Sequence, residues 1–128
     1  MIYIDSSVLL ADVLAEPRCP PATLWDEELA SSRLLAYEVW NRIHVTGLSA
    51  SHAARAQALL ARTNLTEMSQ AALARALEPW PVALRTLDGL HLATVEFLRR
   101  QGEAVELASY DNRLITAAEA LGIPLAAV

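Results

Sequence analysis

Four carboxylates stand where an acid has more to do than keep a chain soluble. Asp5 follows the apolar run Ile2-Tyr3-Ile4 and precedes Ser6-Ser7 and a second apolar run, Val8 to Leu10. Asp111 closes the stretch AVELASYD and precedes Asn112-Arg113. Glu38 sits among Leu34, Leu35, Tyr37, Val39 and Trp40, and Asp88 lies in LRTLDGLHLATVEFLRR. Carboxylates that a fold forces together repel, and their pKa values rise unless a cation neutralises them. A hard divalent ion does this; Mg2+ takes a few carboxylates and keeps several waters. The remaining positions then hold a phosphate oxygen and an activated water for in-line attack. Metal-assisted phosphodiester hydrolysis is the chemistry such a set would perform.

Each acid also has an ordinary structural role open to it. Asp5 and Asp111, at strand ends before helices, hold N-cap positions. Asp88 suits a first helical turn, where the dipole favours an acid. Glu38 precedes Arg42 by four residues, the spacing of a surface ion pair worth about 0.3–0.5 kcal/mol. What sets the four apart is that two end strands, while two open or line helices that would pack beside those strands.

The elements that must position them alternate. Residues 2–4 read as a strand and Ser6 to Leu14 as a helix capped by Ser6 or Asp5. The proline-rich stretch 16–21 is a break, Ala22 to Leu29 a short helix, and Leu29 to Ser32 a strand. RLLAYEVWNRIHVTG has helical length and ends on Gly47, a C-cap glycine. Ser49 is expected to cap an alanine-rich helix running to about Arg62. NLTEMS reads as a brief strand, and Gln70 to Leu77 as a helix stopped by Pro79 and Pro81. A long helix from about Ala83 to Arg100 places Leu84, Leu87, His91, Thr94 and Leu98 at helical spacing. Gly89 inside it costs about 1 kcal/mol, which predicts close approach of another helix or a ligand. AVELASYD is a strand, NRLITAAEALG a helix capped by Gly122, and IPLAAV a last strand. Continuous apolar strands alternating with helices predict a parallel sheet covered on both faces. Ligands of such sheets bind beyond the carboxyl ends of the strands, where Asp5 and Asp111 fall.

With no repeat, linker or low-complexity segment, residues 1–128 are expected to form one domain. Hydrophobic residues at 54% and charged residues at 20% give a globular balance. No apolar run reaches the roughly 18 residues of a membrane span, no signal-peptide pattern opens the chain, and Cys19 has no partner for a disulfide; a cytoplasmic location is expected. The net charge of −5 argues against broad electrostatic attraction to nucleic acid, although a bound metal supplies positive charge locally. All ten basic residues are arginine. The missing lysine removes P-loop, Schiff-base and phospho-aspartate chemistries, and a phosphatase of the haloacid-dehalogenase type would want an aspartate where Ser7 stands.

Asp-Ser-Ser-Val-Leu after the first strand, a lone Glu38 in a helix, LDGLHLAT and SYDNRL…AAEALGI together resemble the PIN domain. The closer likeness is to the small VapC-type toxins of bacterial toxin–antitoxin pairs, and it covers nearly the whole chain in order and spacing. The resemblance implies a Rossmann-like α/β/α sandwich with a mainly parallel central sheet. It implies an endoribonuclease that hydrolyses RNA with Mg2+, Mn2+ serving as a substitute, and that is inhibited by a cognate antitoxin protein; a homodimer is expected. It maps the family's acidic quartet onto Asp5, Glu38, Asp88 and Asp111. Asp5 and Asp88 would be principal ligands, Glu38 and Asp111 direct or water-mediated ones. Ser6 and Ser109 correspond to hydroxyl residues that bond to carboxylates or to phosphate. Ser7 stands where many relatives carry Asn, a difference expected to leave the metal site intact and to alter the bonding around it. Asn112 is placed either to support the site or to be solvated at a helix start. The alternative is a catalytically inactive PIN-like module that binds RNA or protein; four retained acids speak against it.

Among the remaining polar residues, His91 shares a helix face with Asp88; a structural role is expected, because a metal site needs no imidazole, with a histidine base the alternative. His44 and His52 are expected to be solvated. Trp25, Trp40 and Trp80 read as core, or as an apolar face for a partner. Arg33, Arg85 and Arg113 flank the motifs and read as ordinary surface arginines, with phosphate contact the alternative.

Overall fold

The structure, a computed structural model, describes residues 1–128. Its centre is the three-residue strand β1 (Ile2–Ile4), in which Tyr3 and Ile4 are fully buried and, by the two-residue period of a strand, face opposite sides of the sheet. β2 (Leu29–Ser32) and β4 (Glu106–Ala108) flank it, and β3 (Thr63–Thr66) lies beyond β2. The order is β3-β2-β1-β4 and every pairing is parallel, with Ile2 opposite both Leu29 and Glu106. The expected mainly parallel sheet is thus wholly parallel.

Helices cover both faces. On one side Ile4 packs with Val8 and Leu9 of α1 (Ser6–Val13), Leu35, Val39 and Ile43 of α2 (Leu34–Val45), and Leu59 of α3 (Ser49–Ala61). On the other, Tyr3 and Leu107 pack with Leu92 and Val95 of α5 (Thr86–Arg100) and Leu114 of α6 (Asn112–Ala120). The short α4 (Gln70–Ala76) packs on α5 and is capped by Ser69, whose hydroxyl accepts from the Ala72 N–H. No helix is long and apolar enough to cross a membrane.

Several boundaries differ from the expectation, each for a local reason. The segment after Pro21 is a 3-10 helix, Ala22–Asp26, and the chain is already extended at Glu27, on its way into β2. Ser49 is the first residue of α3 and not its cap; Leu48 holds the cap position without a side-chain bond. Gly47, at φ +70°, sits one residue past the Thr46 cap, where a left-handed backbone ends a helix and glycine is favoured. α5 begins at Thr86, because Arg85 is extended and Val82 and Leu84 pack onto the core from the loop. The expected last strand contracts to one bridge, Leu107 to Leu125, since Pro124 has no N–H to extend a ladder.

The chain runs from β1 outward through β2 to β3, then returns to β4 on the other side of β1. The order therefore reverses between β1 and β4, the kind of switch point at which parallel sheets bind ligands. Asp5 leaves the carboxyl end of one of these strands, and Ser109 to Asp111 leave the other.

Candidate active site

Asp5, Glu38, Asp88 and Asp111 line one cavity of about 380 Å³ over that reversal, together with Ser6, Ser7, Leu10, Arg85 and Leu87. Asp5 lies deepest at 4% exposure. It caps α1, its Oδ1 accepting from the Ser7 N–H at 3.1 Å and from Ser7 Oγ at 2.5 Å, while Oδ2 accepts from Ser109 Oγ at 2.8 Å. Both serines tie it to the strand next door: the Tyr110 N–H donates to Ser7 Oγ at 2.8 Å, and the Asp111 N–H to Ser109 Oγ at 3.0 Å. Burial pushes the Asp5 carboxyl above its ordinary value despite these hydroxyls and the His91 ring.

Glu38 reaches the cavity from α2. Its Oε2 accepts from Ser6 Oγ at 2.8 Å, and its Oε1 accepts from Nε2–H of His91, a ring that is 1% exposed. The other ring nitrogen, Nδ1, shares a hydrogen bond with Tyr3 Oη at 2.8 Å, and Tyr3 Oη also accepts from the Ser32 N–H at 3.1 Å. The relay crosses the end of the sheet and joins the two helical layers, since His91 belongs to α5 and Glu38 to α2. Burial disfavours the imidazolium, but Tyr3 and Glu38 outweigh it and lift the ring from 6.5 to about 10. The expected Glu38–Arg42 pair does not form: none of the ion pairs engages Arg42.

Asp88 stands in the first turn of α5, and Asp111 caps α6 by accepting from the N–H groups of Arg113 and Leu114. Arg85 bridges them, Nε to Asp88 at 3.2 Å and Nη2 to Asp111 at 2.6 Å. Desolvation raises the Asp88 carboxyl, and the charges of Asp111 and Glu38 add to it against the pull of Arg85. Of the flanking arginines, then, Arg85 is no free surface group; Arg33 pairs with Glu67, and Arg113 is exposed. Asn112 is exposed and lies outside the acidic cavity, beside Arg113 and Thr116.

The sequence reading missed the His91–Tyr3 relay. The signal was present: His91 occupies the stripe of Leu84, Leu87, Thr94 and Leu98, and a polar group on a buried stripe requires hydrogen-bond partners. Trp25 is core as expected, whereas Trp40 and Trp80 are only partly buried. His44 is exposed, and His52 is half-buried against the Ser51 hydroxyl.

The family model of the PIN domain matches residues 2–120. The chain belongs to the PIN domain family. Among curated proteins, this PIN domain is 33% identical to Ribonuclease VapC46 of Mycobacterium tuberculosis (strain ATCC 25618 / H37Rv) over 98% of the chain and 96% of the relative. It is 29% identical to Ribonuclease VapC35 of the same strain, over 99% of the chain and 96% of the relative. With Ribonuclease VapC47 of strain CDC 1551 / Oshkosh it shares 27% identity over 95% of the chain and 93% of the relative. The VapC-type PIN resemblance and the α/β/α fold expected from it are thus both established.

The donor set of this PIN domain fits a hard divalent cation. All four acids facing the cavity offer oxygen ligands; burial holds Asp5 above its ordinary pKa, and burial with the charges of Asp111 and Glu38 does the same for Asp88, a cost that positive charge relieves. No three acidic, histidine or cysteine side chains converge closely enough to enclose an ion by themselves.

Proposed function

We propose that this chain is a divalent-metal-dependent endoribonuclease, the toxin of a toxin–antitoxin pair, with Mg2+ as its ion and Mn2+ as a substitute. The observation that carries this reading is the gathering of Asp5, Glu38, Asp88 and Asp111 on one cavity over the β1–β4 reversal. RNA as the substrate is supported by the relatives, each named Ribonuclease VapC. Asp5 and Asp88 would be the principal ligands, with Glu38 and Asp111 completing the set. A bound ion supplies Lewis-acid stabilisation of phosphoryl charge and a strong nucleophile at neutral pH.

The chain's own residues prepare the site. Ser7 and Ser109 fix both oxygens of Asp5, and Ser6 and His91 fix both oxygens of Glu38, so neither carboxylate has to reorganise when charge arrives. Arg85 balances Asp88 and Asp111 and, being largely exposed, can swing away to grip phosphate. Single-stranded or looped RNA is the substrate class, because its bases are open to recognition. The partners of this reading are a cognate antitoxin and a second copy of the chain, in the cytoplasm.

The test is cleavage of a mixed structured RNA pool by purified protein with Mg2+, with Mn2+ and with chelator, Asp88→Asn alongside. Cutting should require the metal and disappear in the variant. RNA left intact by folded, metal-loaded protein would replace the enzyme with a binding module.

A further inference from the structure

A second cleft, of about 290 Å³, opens from the acidic cavity along the outer face of α2. The two share Ser6, Leu10, Glu38 and Leu87, and the new cleft adds Tyr37, Asn41, Arg42 and Val45. Tyr37, Asn41 and Val45 recur every four residues and form one stripe of the helix. Along it the Tyr37 ring is 62% exposed and Val45 76%. Scattered apolar residues at a surface need no explanation. These lie in a cleft continuous with the acids, beside an amide and a guanidinium. Arg42 is also free: Glu38 is engaged by Ser6 and His91, and no other acid pairs with Arg42.

We propose that this cleft is a nucleoside subsite, in which an unpaired base of single-stranded RNA stacks on Tyr37 next to the phosphate held at the acids. The inference rests on the nuclease reading of the acidic cavity. Because the cleft shares four residues with that cavity, a strand seated at the acids has a neighbouring nucleotide at Tyr37. Proteins that hold single strands combine aromatic platforms for bases with cations that follow the backbone. Here Tyr37 is the platform and Arg42 the cation, its planar fork matched to a phosphate. Asn41 offers a donor and an acceptor to a base edge. A base inside a duplex cannot reach the ring, so the subsite selects unpaired RNA. A second copy of the chain would also cover Tyr37 and Val45, but the lining mixes an aromatic ring with an amide and an unpaired cation, the complement of a nucleotide.

The experiment is fluorescence anisotropy of the full chain with an end-labelled single-stranded RNA and a matched duplex, in chelator so that nothing is cut, followed by steady-state cleavage with Mn2+ and sizing by gel filtration. Tyr37→Ala should weaken single-strand binding about 5- to 100-fold and raise KM by more than it lowers kcat, with Tyr37→Trp restoring both. Arg42→Gln should flatten the salt dependence by a slope of about 0.7, one released counterion. If wild type cleaves RNA and Tyr37→Ala binds and cleaves it equally well, the subsite is wrong and the nuclease reading stands. If Tyr37→Ala alters only the oligomeric state, the cleft is a subunit contact and the subsite is likewise wrong. Wild type that neither binds nor cleaves any single strand overturns the subsite together with the nuclease reading.

Discussion

Burial disfavours the charged form of Asp5, and this sets how the protein responds to pH. Its carboxyl and that of Asp88 lie above their ordinary value of 3.8, so the folded chain keeps protons that the unfolded chain releases. Their cost to stability therefore grows as pH rises past 3.8 and is complete above the folded values. His91 acts in the same direction. Raised from 6.5 to about 10, it contributes its full stabilisation below 6.5 and loses it as pH climbs through the folded value. With chelator present, the melting temperature should fall steadily as pH rises from 6.5 toward 10, and added Mn2+ should oppose the fall by binding the ionised acids. A melting temperature that rises with pH in chelator would contradict this reading. His91 also orients Glu38 without touching substrate. Replacing it with Gln, or removing the Tyr3 hydroxyl with Tyr3→Phe, should lower metal affinity or kcat by about 10- to 100-fold, as loss of outer-shell partners does in metal sites. Calorimetric Mn2+ titration beside cleavage kinetics separates this from a general loss of fold.

At the scale of elements, Gly89 and Asp111 each carry a local constraint that can be measured. A Cβ on Gly89 would lie 3.2 Å from Trp80 Nε1, and the Arg75 guanidinium stacks over the Trp80 ring at 3.7 Å from its centroid, which hinders the ring from giving way. Gly89→Ala should therefore fail to deliver the ~1 kcal/mol that alanine normally gains over glycine in a helix, and should recover it in a Trp80→Ala background; denaturant unfolding of the four variants closes that cycle. Asp111 caps α6, so Asp111→Ala should cost about 1 kcal/mol of stability, whereas Asp111→Asn keeps most of the cap and loses the charge. Comparing the two by urea unfolding and by Mn2+ titration divides the structural part from the ligand part. The sequence carried the close approach at Gly89, the caps at Asp5 and Asp111, and the order of strands and helices, because glycine cost, capping and apolar runs are local signals. It did not carry the identity of the group against Gly89, the Arg85 bridge or the His91–Glu38 bond. The last two join elements distant along the chain, His91 and Glu38 being 53 residues apart and Arg85 and Asp111 26 apart. Trp80, by contrast, reaches Gly89 from the irregular segment just before α5, where no periodicity marks a side chain's direction. The boundary differences have other origins: at Ser49 and Thr86 several adjacent helix starts are adequate by sequence and packing chooses among them, while at Leu125 the preceding proline limits the strand to one bridge.

The whole molecule is acidic, and half of its ten arginines are tied up in ion pairs. Arg33, Arg55, Arg62, Arg75 and Arg85 all stand in ion pairs, and the net charge is −5. A protein of this kind has little long-range attraction for a polyanion, and at its cavity one arginine, Arg85, stands against four acids. On the proposed reading a divalent ion would offset the burial of Asp5 and the repulsion of Asp88 by Asp111 and Glu38, and make the site hospitable to phosphate. The most direct measurement is Mn2+ titration of the full chain by electron paramagnetic resonance, with Asp5→Asn and Asp88→Asn carried in parallel and their folding checked by circular dichroism. The account predicts saturable binding to wild type and its loss in both folded variants; Mn2+ left free by folded wild type, or held equally well by the variants, would contradict it.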